Sequence, residues 1–191
     1  MRNILLLFLF FNCFSVIQGQ VVRYDSAKYI FIENTKPFHT IEDVLQLKQF
    51  KNKVVYIDLW GYGCIACMNA FDYLPAVKEK FKDDSVAYLY IYNKFSDSIA
   101  DDIRNNYWIK YAIDKKLSGT HLLASVHPSQ EINNGHIPTI FESKKILLDK
   151  DVYAIPRYMI ADKKGKIKLF NAPGPGEKEK LFAELAKLLK P

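Results

Sequence analysis

The segment KVVYIDLW (53–60) is a nearly unbroken run of apolar, β-branched and aromatic residues, and it restricts the possible folds of this chain more than any other feature. Such a run reads as a strand covered on both faces, the situation of a central strand in a parallel sheet. It passes directly into Gly61-Tyr62-Gly63-Cys64-Ile65-Ala66-Cys67. From Cys64 to about Phe81, apolar residues recur at helical spacing (Cys67, Phe71, Leu74, Val77, Phe81), and SVAYLYIY (85–92) reads as a second buried strand. The expectation is a β-α-β unit with a Cys-x-x-Cys at the start of its helix.

Around that unit the pattern is less sharp. Residues 20–28 carry no strong signal, and YIFIEN (29–34) alternates as a short strand does. Thr40 followed by Asp43 reads as an N-cap opening a short helix. A polar helical stretch is expected from about Ser98 to Lys116. SGTHLLASVHPSQEINNGHIPT then has the Gly, Pro, Ser and Asn content of a long loop, with residues 123–140 taken as an insertion. A short helix is expected around Phe141 to Leu148. DVYAIPRYMIADKKGKIKLF divides into two strands about a Lys-Lys-Gly turn. In EKEKLFAELAKLLK, Leu181, Phe182, Leu185, Leu188 and Leu189 share a helix face that must dock on the sheet, with the lysines on a solvated outer face.

At 191 residues, 49% of them apolar, the chain has room for one domain with an ordinary core. The net charge of +6 comes from basic residues spread along the chain, which does not point to nucleic acid. Arg2 and the apolar run from Ile4 to Ile17 have the length of a signal-peptide h-region and are short for a membrane span. Ile17 and Gly19 suit a cleavage site that would leave residues 20–191 as the mature domain, starting at Gln20. A retained anchor or lipidation at Cys13 is the weaker reading, since Phe-Phe-Asn before Cys13 lacks the small residues of a lipid-attachment signal. Exported to the periplasm or cell envelope, the mature protein would be soluble.

Removal of that segment leaves Cys64 and Cys67 as the whole thiol inventory. In an oxidising compartment the pair is either a disulfide or a cycling couple. A helix N-terminus aimed at Cys64 favours thiolate over thiol, which makes Cys64 the candidate nucleophile. Cys67, one turn further in and on the same face, is the candidate resolving thiol. A permanent structural disulfide closing so small a loop would restrict the unfolded chain by only about 2 kcal/mol. A zinc site would need two more ligands, and His39, His121, His127 and His136 match no finger or ribbon spacing. These histidines read as loop or surface residues, and no metal or other cofactor is expected. The apolar neighbours of Asp58 imply its burial, which would raise its pKa into the range useful for accepting a proton from Cys67.

DLWGYGCIAC resembles the active-site motif of the thioredoxin superfamily, and most of all that of its exported branch of cytochrome-maturation-type and cell-envelope reductases, the TlpA/ResA-like thiol-disulfide oxidoreductases. Asp58 matches the family's buried acid, and Trp60 its tryptophan four residues before the nucleophile. AIPRYMIADKKGKI resembles the stretch with the cis-proline and hairpin, putting Pro156 on the proline position beside Ile155. The resemblance covers roughly residues 25–190. It implies an α/β thioredoxin-like fold, a central mixed sheet flanked by helices, with the insertion before the cis-proline strand. It also implies that Pro156 holds a substrate strand beside Cys64, and that Trp60 and Ile155 shape the site.

The sequence departs from the family at Gly63, where relatives carry a side chain, and at Ile65-Ala66, where Gly-Pro is common. The proline that often kinks the helix five residues after the second cysteine is missing, the nearest being Pro75. GHIPT imitates a cis-proline loop around Pro138, but Pro156 alone leaves a hairpin and one terminal helix after it. His121 is the histidine least safely read as surface, because relatives place one after the same Gly-containing turn. The function implied is disulfide exchange with exported proteins that carry disulfides or thiols, in the reducing direction, with electrons from a membrane or soluble thiol donor. A non-catalytic binding module, a copper-delivery protein and a peroxide-reducing protein on the same scaffold are the alternatives.

Overall fold

A computed structural model of the chain describes residues 22–26, 28–32, 38, 40–61, 63–94, 101–125 and 155–190. The expected signal segment, the part of the insertion beyond residue 125 and the helix expected at 141–148 lie outside these residues, as do His39, His127, His136 and Pro138.

The central strand β3 (Val54–Gly61) is buried at every position, as its composition requires. It pairs in parallel with β4 (Val86–Lys94) and antiparallel with β6 (Arg157–Ala161). Four further strands complete one mixed sheet: β5 (Gly119–Ser125) is parallel to β4 and to β2 (Tyr29–Ile32), β1 (Val22–Ser26) is antiparallel to β2, and β7 (Ile167–Leu169) is antiparallel to β6. The order is β1-β2-β5-β4-β3-β6-β7.

Side-chain alternation along β3 separates two cores. Val55, Ile57 and Leu59 face an aliphatic layer with Leu89, Ile91 and Leu122, covered by α1 (Ile41–Leu45) and by Phe50. Val54, Tyr56 and Trp60 face an aromatic layer covered by α2 (Ile65–Phe71), α3 (Leu74–Lys80), α4 (Asp101–Asp114) and α5 (Lys178–Leu189). Thr40 and Asp43 form the expected capping box, each side chain bonded to the other's backbone N–H at 3.1 and 2.8 Å. Leu181 and Leu185 are fully buried, with Phe182, Leu188 and Leu189 packed beside them, as the terminal helix pattern requires.

Three local readings are corrected. The helix expected from Cys64 to Phe81 is two helices that break at Asp72-Tyr73. Pro75, in the first turn of α3, has no N–H to donate to Phe71 and its ring would clash with that carbonyl, so α2 cannot run through it. Gly119–Ser125, read as loop from its composition, is the strand β5 between β2 and β4, and residues 123–125 are part of it. The unpatterned N-terminal stretch supplies β1, an edge strand recruited by β2.

Candidate active site

The reacting residues stand where β3 hands over to α2. Cys64 is the N-cap of α2, one position before the first helical residue, and its Sγ accepts the Cys67 backbone N–H at 3.1 Å. That donor is one of the N–H groups a helix start leaves without an intrahelical partner. A negative sulfur at this point therefore gains both a hydrogen bond and the positive end of the helix dipole. Cys64 and Cys67 are joined in a disulfide with their Cα atoms 5.2 Å apart. Cys64 is half-buried, whereas Cys67 is 1% exposed within the aromatic core. The accessible sulfur is thus the helix-capping one.

The surface beside Cys64 is apolar and open. Ile65, between the cysteines, is 72% exposed, and Ala66 is exposed with it. Gly63 adopts φ +75, and a Cβ there would meet nothing within 4 Å. Glycine at 63 thus suits the turn into α2 and leaves the approach to the disulfide without a side chain. The Ile155-Pro156 bond is cis, as the resemblance implied for Pro156, and both residues are half-buried at the head of β6. Ile155 packs against both cores. Trp60 is fully buried and meets Phe71 of α2 edge-on at 5.2 Å, so it supports the helix from beneath rather than lining the surface.

Asp58 lies between Tyr56 and Trp60 on the aromatic face of β3, the same side as Cys67. It is 1% exposed, and neither carboxylate oxygen has a hydrogen-bond partner. Burial therefore pushes its pKa well above the usual carboxylate range, and the neutral acid is favoured. Across the sheet, Asp58 stands opposite Tyr90 on β4 and Tyr158 on β6, and Tyr90 in turn stands opposite His121 on β5.

His121 corrects the surface reading: it is fully buried, stacked on Tyr90 at 4.7 Å and on Phe31 at 4.9 Å. Its Nε2 donates to the Leu117 carbonyl at 2.7 Å, and burial lowers its pKa to about 3, so the ring is neutral. Lys78 of α3 donates to the Ser118 hydroxyl at 2.9 Å and lies over the rings of Tyr88 and Tyr90, with its pKa lowered to about 7 by burial. Sequence reasoning did not foresee this polar and aromatic surrounding of Asp58. The tyrosine-rich SVAYLYIY was legible, but the strand that stands beside it was not. Among the described residues, no three His, Cys, Asp or Glu side chains converge to hold a metal ion.

A parallel β-α-β unit with a Cys-x-x-Cys capping its helix, joined to an antiparallel hairpin entered through a cis-proline, defines a thioredoxin-like fold with a dithiol–disulfide site. The thioredoxin domain of a thiol-disulfide oxidoreductase from Bacteroides vulgatus has the same fold, with a TM-score of 0.51 at 21% identity over 75% of this chain and 84% of that one. So does a thiol-disulfide oxidoreductase from Bacteroides fragilis, with a TM-score of 0.52 at 18% identity over 76% of this chain and 88% of that one. In sequence, the chain is a relative of the thiol-disulfide oxidoreductase ResA of Bacillus thuringiensis and of Bacillus anthracis, 29% identical over 111 residues. That match covers 56% of this chain and 55% of each relative, so the chain spans about half the length of the curated relatives it matches. No family model matches the chain.

Proposed function

We propose that this protein is an exported thiol–disulfide oxidoreductase that reduces disulfides in other exported proteins. The observation that carries the reading is the Cys64–Cys67 pair itself, one sulfur accessible at a helix N-cap and the other inside the core.

In the reduced protein the Cys64 thiolate attacks one sulfur of a substrate disulfide. The substrate S–S bond breaks, a Cys64–substrate bond forms, and the first substrate thiolate leaves. The carboxylate form of Asp58, made a stronger base by its burial, then takes the proton of Cys67, whose sulfur attacks Cys64 Sγ, releases the second substrate thiolate and closes the Cys64–Cys67 disulfide. Two electrons have passed to the substrate. A membrane or soluble dithiol then returns the pair to its reduced form by the same exchange in reverse. Pro156 and Ile155 hold the substrate strand against Cys64, Trp60 supports the helix that carries both sulfurs, and Ile65 offers an apolar contact.

The reducing direction rests on Asp58, a proton acceptor on the side of the inner thiol. The reduction potential of the pair tests it, since superfamily couples span roughly −270 to −120 mV, and a value near the upper end would make the protein an oxidant. The activity itself is tested by trapping. Cys67→Ala should accumulate mixed disulfides with partner proteins through Cys64, and Cys64→Ala should trap none and reduce no model disulfide. Reductase activity surviving in Cys64→Ala would overturn the assignment. Export is read from Arg2 and the apolar run that follows it, and mass spectrometry of the exported protein should find Gln20 as its first residue.

A further inference from the structure

Asp58 is enclosed by tyrosines. Tyr56 precedes it by two residues on the same face of β3, Tyr90 stands opposite on β4 and Tyr158 opposite on β6. Opposed residues on one face of a sheet bring their Cβ atoms to about 5 Å, so these rings are its walls. Tyr56 and Tyr90 are 1% exposed, whereas Tyr158 is half-buried. Of these three walls, Tyr158 is therefore the one with water on its far side.

The Tyr158 ring is held by a specific arrangement. It lies parallel to Tyr56, with centroids 5.8 Å apart and planes at 11°. The segment after β7 closes over both rings: Ala172 N–H donates to the Tyr158 carbonyl at 2.9 Å, and the Tyr56 hydroxyl donates to the Pro173 carbonyl at 3.2 Å. Gly174 follows. A Cβ at 174 would fall 2.8 Å from Tyr158 Cε2 and within 3.4 Å of two more ring atoms, closer than side chains tolerate.

We propose that Tyr158 is a positioning residue that acts through Asp58, its ring sealing the carboxyl from water, and that the absent side chain at Gly174 is what allows the ring to lie there. Tyr158 touches no reacting sulfur in this scheme. Its part is to keep Asp58 dry, so that the carboxylate, when ionised, is basic enough to take the proton of the inner thiol. The other titratable groups around the cluster are Lys78 of α3 over Tyr88 and Tyr90, His121 of β5 against Tyr90, and Cys67 of α2 in the same core. Glu177, which accepts the Gly174 N–H at 3.3 Å, pairs with Lys180. Lys78 is turned to Ser118, and none of these groups replaces the ring on the β6 side.

The kinetic meaning of the seal rests on the proposed oxidoreductase activity, but its test does not. In the oxidised full-length protein, the protonated-carboxyl infrared band of Asp58, identified by its loss in Asp58→Asn, is followed against pH. Tyr158→Ala and Gly174→Ala should each lower the midpoint by about one pH unit or more, because water reaching a buried carboxyl removes much of the desolvation that raised it. Tyr158→Phe keeps the ring and should leave the midpoint within a few tenths of wild type. If Tyr158→Ala does not fold, Gly174→Ala decides, since it adds one methyl and keeps the tyrosine. An unmoved midpoint in the opened variants, or an equal shift in Tyr158→Phe, overturns the proposal. A shift in a protein that reduces no disulfide would leave the seal standing and remove the oxidoreductase reading.

Discussion

Asp58 and His121 occupy one transverse row of the sheet, separated by Tyr90, and burial suppresses the charge of both. The consequences for pH run in opposite directions. Asp58 has a folded-state pKa above its unfolded value, so its contribution is intact below about 3.8 and is lost as pH rises through the raised value. Asp58→Asn should therefore gain stability relative to wild type as pH rises, by up to about 1.4 kcal/mol per pH unit across that window, read from urea unfolding at several pH values. In single-turnover kinetics the same variant should release the mixed disulfide at least about tenfold more slowly while forming it at the wild-type rate, the loss expected of a general base. An unchanged release rate would leave Asp58 a structural residue. His121 has a folded-state pKa of about 3 against 6.5 unfolded, so its contribution is full above 6.5 and is lost as pH falls towards 3. At pH 5 the loss is roughly 2 kcal/mol, and His121→Phe, which keeps a ring between Phe31 and Tyr90, should flatten that acid limb. Asp58 was legible because its sequence neighbours are apolar. The burial of His121 comes from strands distant in sequence, which its own neighbourhood does not encode.

The elements differ in how far their local sequence suffices. α1 is specified by adjacent residues, since Thr40 and Asp43 satisfy each other's backbone donors, and Thr40→Ala should lower stability by about 1 kcal/mol in thermal or urea unfolding. β5 depends instead on what it meets. Gly119 takes φ +145, and a Cβ there would lie 2.7 Å from the Tyr88 carbonyl oxygen, a backbone atom that cannot turn aside. Gly119→Ala should consequently cost more than the lost cap, about 2 kcal/mol or above, and broaden the signals of Tyr88 and Tyr90 in NMR spectra. An effect no larger than that of Thr40→Ala would show that β5 shifts freely. The break between α2 and α3 lies between these cases. The apolar spacing runs through both helices, and Pro75 is the signal that divides them.

At the scale of the molecule, the site rests on two cores, and α5 closes the aromatic one without contributing a reacting group. Leu185→Ala should destabilise global unfolding by about 2–5 kcal/mol, the usual cost of a cavity at a fully buried leucine. Alkylation of Cys64 in the reduced, folded variant should nevertheless proceed at the wild-type rate, because the cap geometry is set locally, by Cys64 and the Cys67 backbone N–H at the start of α2. By itself the sequence determined the β-α-β unit, the cysteine pair at the helix start, the burial of Asp58, the hairpin after Pro156 and the docked terminal helix. Each of these is carried by period, capping or apolar content within a single segment, and local pattern records such terms. The tertiary structure alone decided that Gly119–Ser125 is an inner strand, that His121 is a neutral core residue, and that three tyrosines from three strands enclose Asp58. Those outcomes depend on pairing and register between segments far apart in the chain, and cross-strand contact is a property of the assembled sheet.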